Sequence, residues 1–277
     1  MRAAVLAAPG HAAVEERPLP EPAAGEVLVH VEGCGVCGSS LPVWEGRPWF
    51  EYPVAAGAPG HEVWGRTTDG RRVTGLSAHG FAAVDVLRED ELVELPPELD
   101  DVPFPGEALG CAVNVVRRAQ VRPGHEVAVV GMGFLGSTIA RLLELRGARV
   151  TPVRRDDEPD GPFERVIEAA GTQAALDAAS ALVSTGGLLV IAGFHQDGPR
   201  TVDLQSWNWR GIDVVNAHER DRRRSVAGIR ESVRLAAAGE LDVAALVTHR
   251  FGLDELDLAF AAASHRGPGF LKAVVCP

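Results

Sequence analysis

Over the first hundred residues the apolar positions come in short, Val-rich runs broken by proline and glycine, a pattern that predicts short strands and loops. Beyond Pro103-Phe104-Pro105-Gly106 the period changes. Apolar residues recur at helical spacing over about 108–119, and the loop Arg122-Pro123-Gly124 follows. Apolar runs at 127–130, 150–153, 165–168, 188–192 and 212–215 then alternate with helical stretches, among them 173–182. Strands alternating with helices predict a parallel sheet covered on both faces. A short run at 246–249, a helix over 253–263 and a strand over 271–275 read as a return of the chain to its first region. The pattern contains no internal repeat and divides at 1–106, 107–224 and 225–277.

The most specific stretch lies at the start of the alternating region. Val127-Ala128-Val129-Val130 runs into Gly131-Met132-Gly133-Phe134-Leu135-Gly136 and then into a helix with the apolar stripe Leu135, Ile139, Leu142, Leu143 and Leu145. This is a complete G-x-G-x-x-G turn in its proper context. Gly131 permits the tight turn, Gly133 lets backbone approach a pyrophosphate, and Gly136 lets helix and strand pack. The amides at the helix start, from Phe134 onward, are donors for phosphate. At the end of the next predicted strand, where an acidic residue would bind an adenosine ribose, stand Arg154 and Arg155. Guanidinium groups suit a 2′-phosphate and cannot accept from a hydroxyl, which favours NADP(H) over NAD(H). One alternative stays open: a solvated surface pair of arginines, with Asp156 or Asp157 supplying the ribose carboxylate.

Composition narrows the class. The 277 residues are 46% hydrophobic, enough for a sizeable core, and no apolar run reaches the length needed to span a bilayer. The N-terminus reaches Pro9-Gly10 too early for a secretory signal and reads as a first strand, so a cytoplasmic location is expected. A net charge of −11, from 27 basic and 38 acidic residues, argues against nucleic acid and anionic membrane as partners. The basic run around Arg220, Arg222, Arg223 and Arg224 is interrupted by Asp221 and reads as a solvated helix start. Four cysteines are too few for a disulfide scaffold.

Cys37 in a glycine-rich turn and His61-Glu62 after Pro59-Gly60 supply sulfur, nitrogen and oxygen donors of the kind that suit zinc. A buried free thiol and a hydrogen-bonded histidine are the alternative reading of the same residues. Gly33-Cys34-Gly35-Val36-Cys37-Gly38-Ser39, Gly60-His61-Glu62, Arg72-Val73-Thr74-Gly75 and the glycine turn stand in the order seen in zinc-containing medium-chain alcohol and polyol dehydrogenases, which the chain resembles over nearly its whole length. The resemblance implies a GroES-like, mainly β catalytic domain with a doubly wound Rossmann domain. It implies zinc on Cys37 and His61, a further ligand at Glu107, and Glu62 as an exchanging or supporting carboxylate. Cys111, one helical turn on, competes with Glu107. Ser39 would relay the proton, while Ala192, Gly193 and Phe194 would hold the nicotinamide and Lys272 the pyrophosphate.

The chain departs from the family pattern in three places. Ser40 and Pro42 stand where relatives carry an Asp and often a His, which weakens the expected support of the metal. The four-cysteine lobe of the family is absent between Val73 and Glu107, so one metal at most is expected. Only a few Pro- and acid-rich residues separate Arg154 from the strand at 165–168, so the third strand of the Rossmann order 3-2-1-4-5-6 is missing. Strand two then becomes an edge, where Pro152 is tolerated. Trp44, Trp49, Asn114 and His218 are candidates for lining a polar substrate pocket.

The expected function is zinc-dependent hydride transfer between NADP(H) and a secondary alcohol or polyol, or the matching ketone. A zinc-free enone or quinone reductase and a non-catalytic nucleotide-binding protein are the alternatives. A homodimer through the strand at 212–215 is expected.

Overall fold

The computed structural model describes all 277 residues. The first part of the chain forms seven strands, β1 (Arg2–Ala8), β2 (His11–Glu16), β3 (Glu26–Gly35), β4 (Glu62–Thr67), β5 (Arg72–Thr74), β6 (Val84–Arg88) and β7 (Val93–Glu94), with a short helix α1 (Leu41–Glu45). Then follow α2 (Gly106–Arg118), β8 (Glu126–Val130), α3 (Phe134–Leu145), β9 (Arg149–Val153), β10 (Phe163–Glu168), α4 (Gln173–Leu182), β11 (Val183–Ile191), α5 (Leu204–Arg210) and β12 (Asp213–Asn216). The last part carries α6 (Arg222–Ala237), α7 (Val243–Leu246), β13 (His249–Gly252), α8 (Leu256–His265) and β14 (Ala273–Cys276). Two compact units result: Met1–Gly110 with Ser225–Pro277, and Cys111–Arg224. No helix is long and apolar enough to cross a membrane.

In the first unit a seven-stranded sheet runs β13-β14-β3-β4-β5-β7, with β6 also paired to β3, beside the hairpin β1-β2. The ten-residue β3 serves several partners because its register with β4 shifts between Val31 and Gly33. Its first half pairs with β6, and its last residues, Cys34 and Gly35, pair with β14. Helix α8 packs through Leu256, Ala259, Phe260 and Ala263, an i, i+3, i+4, i+7 face that is buried throughout. Phe260 meets Phe81 edge-on and stacks on Trp44, and burying each such ring stabilises the unit by about 1.5–3 kcal/mol.

In the second unit five strands, all parallel, run β12-β11-β10-β8-β9. This is the doubly wound order without its third strand. From Val153 the chain reaches Phe163 through residues 154–162, with neither helix nor strand between. β9 is consequently an edge, and Pro152 sits on it exposed, where its missing N–H leaves no ladder partner unmet. β8 is buried along Val127, Ala128, Val129 and Val130, as a strand covered on both faces should be. Helix α3 buries Ile139, Leu142 and Leu143 and stops at Gly147, whose φ of +78° needs glycine. Thr172 caps α4 by accepting from the Ala175 amide, an interaction that stabilises a helix by about 1 kcal/mol.

Candidate active site

Backbone pairing assembles the donor residues of the first unit. β3 ends at Gly35, which faces Glu62 on β4 on one side and Val274 on β14 on the other. Glycine is required here: a Cβ on Gly35 would lie 1.8 Å from Glu62 Oε2. The chain then turns through Val36, whose amide donates to the Ala273 carbonyl, into Cys37 and the single turn Gly38–Ser40. One sulfur, one nitrogen and one oxygen from Cys37, His61 and Glu62 all lie within 4.8 Å of one another.

The imidazole of His61 is oriented from behind. Its Nδ1 donates to the Pro59 carbonyl at 2.9 Å, which leaves Nε2 facing Ser39 and Cys37. Ser39 Oγ donates to Cys37 Sγ at 3.1 Å and lies 3.5 Å from His61 Nε2, so the hydroxyl stands at the donor set. Ser40, read from sequence as a loss of support, is buried and donates to the same Pro59 carbonyl at 3.3 Å. The hydroxyl thus ties the cysteine turn to the segment that carries His61.

Glu62 is fully buried, and Lys272 neutralises it: Nζ lies 2.6 Å from Oε1 and 2.5 Å from Oε2. The second contact is close but off the line of a hydrogen bond, so Oε2 keeps an unshared lone pair. Burial works against the Lys272 ammonium, yet the charges of Glu62, Cys37 and Glu107 and the Glu62 hydrogen bond outweigh it and raise its pKa. Burial likewise opposes a charged His61. The hydrogen bond to Cys37, with the charges of Cys37, Glu107 and Glu62, lifts it to about 10. The set therefore draws positive charge, as a proton or as a metal ion, and its sulfur, nitrogen and oxygen donors fit zinc. Burial pushes the neighbouring Cys34 thiol well above its ordinary value, which leaves it an inert core residue.

Lys272, expected on a nucleotide pyrophosphate, is instead buried against Glu62, because an ammonium without water needs a carboxylate. Neither Glu107 nor Cys111 belongs to the three-donor set, although the charge of Glu107 reaches both His61 and Lys272. The four pocket candidates scatter. Trp44 donates to Asp257 and packs on the core, Asn114 is buried on the Arg224 carbonyl, and Trp49 and His218 are exposed.

In the second unit Gly131 has a φ of +97°, and a Cβ there would strike Ala170 at 2.7 Å. A Cβ on Gly136 would come 1.9 Å from the Gly131 carbonyl, the close helix–strand contact the motif requires. Gly133 faces open space with nothing within 4 Å, a cradle that a side chain would fill. Phe134 is buried and Leu135 half-buried at the start of α3. Arg154 and Arg155 are exposed just past β9, and Asp157 accepts from the Arg154 amide at 2.8 Å. Ala192 and Gly193 donate to the Glu168 carbonyl, and Phe194 is 57% exposed. Sequence reasoning missed the partner of Lys272 and the buried Glu168; an acidic residue closing an apolar strand was the available signal for the latter.

No protein-family model matches the chain. It is 25% identical over 318 residues to L-threonine 3-dehydrogenase from Ruegeria pomeroyi, covering 89% of this chain and 91% of that one. It is 25% identical over 349 residues to sorbitol dehydrogenase from Gallus gallus, covering 99% and 96%. Among solved structures, a protein from Sinorhizobium meliloti 1021 described as a zinc-binding dehydrogenase and bound to NADP superposes with a TM-score of 0.81 at 22% identity, covering 100% and 99%.

Proposed function

We propose that the chain is a member of the medium-chain dehydrogenase/reductase superfamily, an NAD(P)-dependent dehydrogenase with a GroES-like and a Rossmann-type unit, and that it transfers hydride between NADP(H) and a secondary alcohol or polyol, or the matching ketone. The observation that carries this reading is the donor set of Cys37, His61 and Glu62 with the Ser39 hydroxyl on it. Those three residues would hold zinc, with Glu107 as the fourth candidate. Zinc bound there would act as a Lewis acid toward a substrate hydroxyl. Ser39, a half-buried residue whose Oγ stands at the donor set, would accept the substrate proton and release its own to solvent. His61 is kept in register by Pro59, and Lys272 fixes the Glu62 side chain at the set through their ion pair.

The nucleotide lies on the glycine turn at Gly131, Gly133 and Gly136, with phosphate on the amides of Phe134, Leu135 and Gly136. Arg154 and Arg155 supply exposed cations for a 2′-phosphate. Ala192, Gly193 and the exposed Phe194 receive the nicotinamide. We further read the protein as a cytoplasmic homodimer. β12 is the open edge of its sheet, with Val214 exposed on it and Trp209 90% exposed just before it. Sedimentation of the purified protein checks the assembly.

One observation favours a second reading. Both Glu62 oxygens contact Lys272, which weakens Glu62 as a metal ligand and suits a zinc-free enone or quinone reductase of the same superfamily. Metal analysis with NADPH and NADH titration of wild type and Cys37→Ser separates the two. The zinc reading expects about one zinc per chain, lost in Cys37→Ser with NADPH binding retained. Full alcohol-dehydrogenase turnover without zinc, or unchanged zinc in the variant, would sink it.

A further inference from the structure

The carboxyl ends of β10 and β11 carry a side-chain relay that the proposed reaction does not use. Glu168 closes β10 with no solvent exposure, and a carboxylate so placed must be met by donors. Its Oε1 accepts from the Ala170 and Gly171 amides, each at 2.7 Å, and its Oε2 lies 3.1 Å from His195 Nε2. His195 Nδ1 lies 2.8 Å from Arg200 Nε. A guanidinium only donates, so Nδ1 accepts and Nε2 carries the proton that Glu168 takes up in a hydrogen bond. Arg200 also donates to the Gly171 carbonyl at 2.9 Å and to Asp197.

The turns joined by this relay are packed backbone on backbone. A Cβ on Gly131 would strike Ala170, one on Gly171 would lie 2.5 Å from the Phe194 carbonyl oxygen, and one on Gly193 would lie 2.2 Å from the Gly171 amide. The turns after β8, β10 and β11 therefore form one continuous stack. Of the three, the segment 192–200 is fastened to its neighbour by side chains, through His195 and Arg200.

In an open parallel sheet a dinucleotide lies across the carboxyl ends, with its pyrophosphate on the first glycine turn. β9 and Arg154 stand on one side of β8, while β10 and β11 stand on the other. An adenosine half directed toward β9 puts the nicotinamide half over β10 and β11. We propose that His195 and Arg200 are positioning residues that hold the turn at Ala192, Gly193 and Phe194 in the shape that receives the nicotinamide half. This rests on the nucleotide reading above.

Calorimetric titration with NADPH and with 2′-phospho-ADP-ribose, which lacks nicotinamide, tests the assignment. In His195→Leu and Arg200→Met the NADPH Kd should rise about 10-fold, while the Kd of the fragment stays within about twofold. His195→Gln, whose amide can donate to Glu168 and accept from Arg200, should bind NADPH nearly as wild type does. Where a truncation fails to fold, Arg200→Lys, which loses the planar fork, carries the same expectation. Equal weakening of both ligands would make the relay a purely structural brace and overturn the proposal, as would unchanged NADPH binding. Wild-type protein that binds NADH alone is tested in the same way with NADH and ADP-ribose. Wild-type protein that binds neither nucleotide refutes the nucleotide reading itself, a result distinct from failure of the relay.

Discussion

The donor set of the first unit and the glycine turn of the second differ in what holds them. Cys37, His61 and Glu62 are brought together by strand pairing and then fixed by side chains reaching over long stretches of sequence: Ser40 to the Pro59 carbonyl, and Lys272 to Glu62 across 210 positions. The glycine turn is held by main chain. Its geometry comes from Gly131 at positive φ and Gly136 against a carbonyl oxygen, all within six residues. A site of the second kind tolerates loss of a distant strand, and the five-stranded sheet retains it without strand three. A site of the first kind depends on every element that delivers a partner, including β14 at the end of the chain.

The largest test of that contrast is Lys272→Met. It leaves the Glu62 carboxylate buried without its counter-charge, and urea unfolding should show a loss of about 3–5 kcal/mol. Adding Glu62→Gln should restore most of it, since both charges are then gone. A loss under about 1 kcal/mol in the single variant would show that the donor set does not need its remote partner.

A pair of glycine variants probes the other side. Gly136→Ala pushes a Cβ into the Gly131 carbonyl and should lower stability by about 1–3 kcal/mol along with nucleotide affinity. Gly133→Val meets open space at an extended backbone position, so thermal stability should hold while NADPH binding weakens by about 10-fold or more. Equal melting temperatures for the two variants would contradict the division of labour between these glycines.

The smallest effect concerns Asp85, which accepts from Ser77, the residue that also donates to the Gly60 carbonyl beside His61. Burial raises the Asp85 carboxyl above its ordinary 3.8, against the lowering hydrogen bonds from Ser77 and Val86. As pH climbs from 3.8 through the raised value, the unfolded chain has lost this proton while the folded chain still holds it, so stability falls across that window. Asp85→Asn should flatten that part of the pH–stability curve, followed by thermal melts from acid to neutral pH. An unchanged slope would remove Asp85 as its source.

Much of the second unit was legible because its signals are local. The strand-turn-helix run at 127–145, the short span after Arg154 and Pro152 on β9 each carry their meaning within a few residues, and the sheet order follows from them. In the first unit the residue types at Cys37, His61 and Glu62 were readable, and the three are gathered in space. Their supports were not. Ser40 looked like a missing acid until the fold put its hydroxyl on Pro59, and Lys272 looked like a phosphate ligand until the fold buried it.

By itself the sequence determined the glycine turn, the parallel alternation, the shortened cofactor unit and the identity of the donor atoms, because each depends on backbone preference or side-chain chemistry within a short window. Only the tertiary structure decided which charges meet. Glu62 with Lys272, and Glu168 with His195, which in turn accepts from Arg200, are pairings forced by burial, since a carboxylate removed from water binds whichever donor the strands deliver to it.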